Sequence, residues 1–260
     1  MITILNKLVP LVFGMILLII WETMVQVFDA PAYILPGPLS ILESLLKNGP
    51  ELLSALWVTL RVTIAALLLA AVTGAALAIL LVQSRLLERM LFPYAVFLQV
   101  TPIVTVAPFI IIWVDDIFLV LLVLAWMAAV FPIISNTMLG LKSADMNLRD
   151  LFRLYGATRI QTLRHLLIPS ALPYFLAGVR ISGGLALIGT VVAEMVAGTS
   201  GQNSGLASRL LESSYRLELS RALACFVLLS LAGYGIYLVL NHISKYLLKD
   251  WHESAIEEAR

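Results

Sequence analysis

The amino-acid sequence predicts an all-α, polytopic membrane protein with six transmembrane helices and one polar inner loop. Three observations carry this. Only 13% of the 260 residues are charged and 61% are hydrophobic, whereas a soluble domain carries about 25% charged residues. Six windows reach or approach the roughly 20 apolar residues needed to cross a hydrocarbon core. Basic residues crowd one set of the loops between those windows, as the positive-inside rule requires. A net charge of +1 leaves no footprint for nucleic acid.

The first window, Leu8 to Phe28, predicts a helix over 8–28, although Glu22 and Gln26 interrupt its end. A cleaved signal peptide is the alternative, with Lys7 as basic flank and Ala30-Pro31-Ala32 as cleavage-like site. Pro31 suits such a site badly, so a retained helix is expected. In the outer segment, Pro38 or Ser40 starts a short interfacial helix through Ile41 to Leu46, and Gly49-Pro50 stops it. The next windows predict helices over 56–82, 89–114 and 117–140; Val62–Val82, Met90–Val114 and Ile117–Leu141 contain no charged residue. A fifth helix, 170–197, lies mostly within Leu166–Ala193, which is broken only by Arg180. Gly198 to Leu219 is rich in Gly and Ser, then amphipathic through Leu206, Leu210 and Leu211, and reads as a cap or a short re-entrant element. The sixth helix, 220–245, contains the uncharged run Ala222–Ser244, and a polar tail, Asp250–Arg260, follows. With no internal repeat, residues 1–260 read as one domain. Both termini fall inside, together with Arg85, Arg89, Lys142 and the arginines of loop 142–169; Lys47, Asp115, Asp116, Arg209, Arg216 and Arg221 fall outside.

The loop is the most informative segment. Leu148, Leu151, Phe152 and Tyr155 have the i, i+3, i+4, i+7 spacing of one helix face, while Arg149 and Arg153 share another. Gly156 supplies the permissive backbone that ends a helix. Thr158 and Gln161 form a capping-box pattern for a second helix, with Ile160, Leu163 and Leu166 or Leu167 on one side and Pro169 as its stop. Two readings stand on physics alone. Either the pair docks into a groove on a partner, or it lies on the inner membrane surface with its arginines on lipid phosphates.

The spacing resembles the loop of permease subunits of ABC importers: Glu-Ala-Ala, three residues, Gly, nine residues, Ile, any residue, Leu-Pro. Here that frame falls on Asp150-Leu151-Phe152, Gly156, Leu166, Ile168 and Pro169; the Glu-Ala-Ala is met only by the acidic Asp150. Most of the chain is similar to the nitrate, sulfonate and taurine branch, which also handles thiamine precursors and riboflavin. The similarity runs through Leu35-Pro36-Gly37-Pro38, Gln99-Val100-Thr101-Pro102-Ile103-Val104, Phe131-Pro132-Ile133 and Val192 to Gly198 with Ser200-Gly201; Gln202-Asn203 looks like a small insertion. The resemblance implies a type I importer permease-like fold in a bacterial inner membrane. It implies a second permease subunit, as in a homodimer, two cytoplasmic ATPase subunits and an extracytoplasmic solute-binding protein. Asp150, Phe152, Arg153, Gly156, Ile168 and Pro169 are then the ATPase-coupling residues.

The chain lacks a phosphate-cradling Gly-x-x-x-x-Gly-Lys-Ser/Thr motif. It therefore carries no cofactor of its own, and ATP and Mg belong to the partner ATPase. No catalytic or metal-binding constellation is legible: His165, His242 and His252 are scattered, and Cys225 reads as a small hydrophobe. Four residues are translocation-path candidates, each with a structural alternative. Gln99 and Thr101 stand beside Pro102 and either line a path or bond between helices. Arg180 lies about 15 Å into the fifth helix and either attracts solute or pairs structurally. Glu194 either sits near an outer gate or forms a structural ion pair with Arg209, Arg216 or Arg61. An ion-coupled secondary transporter and a non-transport scaffold are the rival readings. The first would want mid-membrane carboxylates or broken helices, and the second predicts no polar residues along a path.

Overall fold

The computed structural model describes residues 2–29, 31–198 and 204–249. Ala30, Ser200-Gly201, Gln202-Asn203 and the tail Asp250–Arg260 lie outside the described residues. Among the described residues all regular structure is helical: α1 (Ile2–Val27), α2 (Pro38–Val82), α3 (Arg85–Val100), α4 (Ile103–Trp113), α5 (Ile117–Lys142), α6 (Met146–Leu154), α7 (Arg159–Thr162), α8 (Ile168–Ala197), α9 (Leu206–Tyr215) and α10 (Leu219–Leu248), with a π turn at Leu163–Leu167. Among the described residues, four helical runs are long and apolar enough to cross a membrane: α2, α5, the run Arg159–Ala197 and α10. The pair α3–α4 makes a fifth span if the two count as one, and the first window appears as a shorter apolar helix, Val12–Val27.

The chain divides into two compact units, 1–58 with 199–230, and 59–198 with 231–260. In the first, the Glu22 carboxylate accepts from the Leu39 backbone N–H at 3.1 Å and from Gln26 Nε2 at 2.9 Å. It thereby serves one of the orphan donors at the start of α2. A Cβ on Gly37 would lie 2.5 Å from that carboxylate, which would have to shift to admit one. The polar residues that weaken the first window are thus a helix cap.

Gly49-Pro50 does not stop a helix. α2 runs unbroken through Pro50 for 45 residues, joining the expected interfacial helix to the second span. Proline removes a single donor, the N–H that would reach Leu46. The following turn is held by burial of Leu52 and Ala55 and by ion pairs of Glu51 with Arg221 at 2.7 Å and Arg209 at 3.4 Å.

The second unit is built on α5 against α8. Their faces meet through glycines: a Cβ on Gly178 would lie 3.0 Å from the Pro132 carbonyl, and one on Gly189 would lie 2.9 Å from Ala125 Cα. Small residues allow the close backbone approach that dispersion needs when lipid is as apolar as the core. Val130, Ile133 and Leu141 of α5, Leu81 of α2 and Ala171 of α8 are buried in the cluster so formed.

The window expected as one helix over 89–114 is two, bent by 99° between α3 and α4. Thr101 is extended (φ −70°, ψ 120°) because the Pro102 ring excludes the helical region for the residue before it. Threonine hydroxyls serve the carbonyls at the break: Thr101 donates to Phe97 and Thr105 to Pro102, both at 2.7 Å.

Candidate functional site

The polar loop is anchored at both ends. Asp145 caps α6 by accepting from the N–H of Asn147 at 2.6 Å. The Arg149 guanidinium donates to the Leu141 carbonyl at 2.7 Å, tying α6 to the end of α5. Lys142 pairs with Glu88 at 2.5 Å, joining that end to α3. Gly156 then closes α6 with φ +67°. The Ala157 N–H donates to the Phe152 carbonyl at 2.9 Å and the Gly156 N–H to Arg153 at 3.1 Å, the pair of bonds that defines a Schellman cap. The capping box is present in full: Gln161 Oε1 accepts from the Thr158 N–H at 2.7 Å, and Thr158 Oγ1 from the Gln161 N–H at 3.3 Å.

Pro169 does not stop the second helix. The chain continues as one helical run, Arg159–Ala197. The π turn at 163–167, in which the Ile168 N–H reaches back to Leu163, inserts one residue before the proline. Pro169 then occupies the first turn of α8, where its missing donor is tolerated. The Ser170 hydroxyl donates to the Leu166 carbonyl at 2.8 Å. Leu166 is buried, with Leu163 and Leu167 packed on the core beside it. That expected apolar face of the second helix is therefore taken up inside the unit.

The loop leaves several large apolar side chains outside. Leu154 and Tyr155 are each 84% exposed, Met146 78% and Ile160 76%. Among the predicted coupling residues, Phe152 and Pro169 are half-buried and Ile168 is exposed. Asp150 and Arg153 face each other at 3.8 Å with both side chains mostly exposed, a contact worth little.

The path candidates occupy three places. Gln99 is exposed near the end of α3, and Thr101 stands at the break. Arg180 is half-buried and donates to Asn241 of α10 at 3.0 Å. Nearby, a Cβ on Gly183 would meet the Leu240 side chain of α10. Glu194 is fully buried, and its Oε2 accepts from Thr59 Oγ1 at 3.2 Å. One turn away Thr63 Oγ1 lies 2.9 Å from the Thr59 carbonyl and 3.1 Å from Thr190 Oγ1. With one proton it serves one of them at a time. Thr190 in turn donates to Ala186 at 2.9 Å. These contacts form a buried polar ladder between α2 and α8.

Sequence reasoning missed Asn241 and the three threonines. The spacings 59/63 and 190/194 carry the signal, since each pair shares one helix face. Arg61, an alternative partner proposed for Glu194, lies over the Phe118 ring at 5.4 Å. Among the described residues no cluster of three or more His, Cys, Asp or Glu could hold a metal ion.

Residues 66–252 match the family described as binding-protein-dependent transport system inner membrane component. The chain is 33% identical over 198 residues to the formylaminopyrimidine transport permease protein ThiX of Halalkalibacterium halodurans, covering 76% of this chain and 77% of the relative. It is 32% identical over 249 residues to the riboflavin transport system permease protein RibX of Chloroflexus aurantiacus, covering 92% and 88%. A chain of the MetNI methionine ABC transporter, solved in inward-facing conformations, superposes with a TM-score of 0.64 at 19% identity, over 75% of this chain and 95% of that one. This last likeness concerns the fold alone.

Proposed function

We propose, from the premise that the chain belongs to the family of binding-protein-dependent transport system inner membrane components, that its polar loop receives an ATPase subunit and passes that subunit's closure to the membrane helices. The chain is the permease subunit of an ABC importer. The observation that carries the loop's role is the exposed apolar set Leu154, Tyr155 and Ile160 on a segment fixed by two caps. Burying each such side chain in a partner's groove contributes roughly 1.5–3 kcal/mol. Gly156 and the π turn set the angle between docking helix and span, and Asp150, Phe152, Arg153, Ile168 and Pro169 complete the coupling segment. ATP and Mg sit on the partner, since the chain has no phosphate-cradling motif.

The importer so proposed contains two copies of this chain as one permease domain each, two ATPase subunits and an extracytoplasmic binding protein. It lies in a bacterial inner membrane with both termini cytoplasmic, a topology supported by the arginines of the loop. Its substrate is a small polar solute, either a nitrate-, sulfonate- or taurine-like anion or a ring compound. The names of ThiX and RibX point to the ring class and that of the relative SsuC to sulfonates, so both classes stand. Gln99 and Thr101 line the path: exposed polar side chains at a bent backbone are tolerated at membrane depth only beside protein or water. Arg180 borders the same path from α8, and Glu194 holds α2 to α8. The broken pair α3–α4 and a buried carboxylate also suit an ion-coupled transporter, but family membership argues against that rival.

Gentle affinity purification from native membranes with mass spectrometry tests this function. An ATPase subunit in near-equal amount is expected, and the binding protein recovered with it can be screened for ligands by thermal shift. Purification without any ATPase, even after cross-linking, would move the membrane-surface reading of the loop ahead.

A further inference from the structure

We propose that the second unit carries a binding site for one anionic phospholipid, with the phosphate held in an arginine-lined cleft and an acyl chain in the apolar crevice beneath it. The inference needs only that the chain spans a membrane, not the coupling role given to the loop.

The cleft has a volume of about 440 Å³ and is lined by Arg149, Arg153 and Arg159 with Gln83 and Thr162. No carboxylate lines it; Asp150 stands 3.8 Å from Arg153, beyond hydrogen-bond reach. Arg149 is fixed by its bond to the Leu141 carbonyl, and its Nε is buried without an acceptor. Five donors on a planar fork make arginine the side chain that suits a phosphate.

The cleft opens where the spans end. Gln83 directly follows α2, and Leu163 and Leu167, which also line the cleft, lie in the π turn that opens into α8. A second cavity of about 230 Å³ is lined by Ala75, Ile79, Leu141, Ile168 and Phe175. Its only polar side chain is Thr137, whose hydroxyl is buried and unpartnered. Two features relate the linings of the two cavities. The Leu141 side chain lines the crevice while its carbonyl holds Arg149 of the cleft. Ala75 and Ile79 stand about one turn apart on one face of α2, and Gln83 follows four residues later, just past its end. A charged mouth over an apolar crevice at the membrane boundary fits a ligand with a phosphate head and a hydrocarbon tail.

The exposed apolar side chains assigned to the ATPase, Leu154, Tyr155 and Ile160, line neither cavity, although Arg153 and Ile168 of the coupling segment do. At about 100° per residue, Leu151 stands half a turn from the Arg149–Arg153 face of α6, with Tyr155 beside it. The loop can thus hold a lipid on one face and a protein on the other.

Each basic residue near an anionic surface contributes roughly fivefold to binding. Native mass spectrometry of the purified, delipidated full-length protein can count retained lipids. Phosphatidylglycerol is titrated against phosphatidylcholine and inorganic phosphate. One phosphatidylglycerol is expected to bind on the order of a hundredfold more tightly than phosphatidylcholine. Arg153→Gln with Arg159→Gln should lower that preference roughly 25-fold, with Arg149 left to hold the fold. Ala75→Leu, which narrows the crevice, should weaken retention of both lipids. Equal retention of the two lipids, or retention unchanged in the arginine variant, would overturn the proposal. So would displacement by inorganic phosphate at the lipid's own concentration, which would make this a free-phosphate site. Loss of the lipid whenever an ATPase subunit is bound would assign the cleft to that interface and equally overturn it.

Discussion

Replacing Gly156 by valine tests whether the shape of the loop, rather than its sequence alone, carries coupling. Gly156 has φ +67°, and a Cβ there would meet nothing within 4 Å. Steric collision is therefore not the cost; the left-handed backbone is. A non-glycine residue in that conformation costs about 1–2 kcal/mol, and a β-branched one up to about 3 kcal/mol. If a relaxed loop cannot dock, 2 kcal/mol lowers the docking-competent population about 30-fold, and the apparent affinity for the ATPase falls by the same factor. Asparagine tolerates this region, so Gly156→Asn should lose only a few-fold. The assay is the dissociation constant between the ATPase subunit and the permease in nanodiscs, read beside ATP-driven uptake, with unchanged membrane insertion as the control. Valine binding as tightly as asparagine and wild type, with full uptake, would refute the reasoning.

Arg180→Ala should lower ATP-driven uptake while the ATPase stays bound; loss of the folded complex, matched by Asn241→Ala, would make the Arg180–Asn241 contact structural instead. Gly184 and Gly189 share α8, but only Gly189 abuts a neighbouring backbone. Gly184→Ala should therefore stabilise by about 1 kcal/mol through helix propensity, while Gly189→Ala should be about 1–3 kcal/mol worse than it through overpacking, read by denaturation in detergent. Glu194→Gln keeps an oxygen for Thr59 and should leave the melting midpoint close to wild type; Glu194→Leu should destabilise by about 1–3 kcal/mol.

Local chemistry was legible in the sequence where it is complete within a few residues. The capping box at Thr158–Gln161 and the helix end at Gly156 follow from motif alone, because each is closed by hydrogen bonds to near neighbours. Prolines were legible as disturbances but not in their outcome. Pro102 breaks a helix by 99°, whereas Pro50 and Pro169 do not. Burial of Leu52 and Ala55 and the added residue of the π turn decide those cases, and neither is encoded beside the proline. Long-range pairings were hidden for the same reason. Arg180 and Asn241 are 61 residues apart and Thr59 and Glu194 are 135 apart, so polar spacing shows a face but not what it meets. Leu166 was legible as an apolar anchor of the loop; that it turns inward depends on the π turn.

The most direct measurement is photo-crosslinking from position 155 in native membranes. Tyr155 is exposed on the loop and lies outside the arginine cleft. A benzophenone amino acid placed there should give one adduct with a cytoplasmic ATPase subunit, lost in Gly156→Val. The same probe at Leu68, exposed in the middle of α2, should give none with that subunit. Adducts from position 155 with lipid alone, in membranes that import the solute, would contradict the claim that this loop is where ATP hydrolysis reaches the permease.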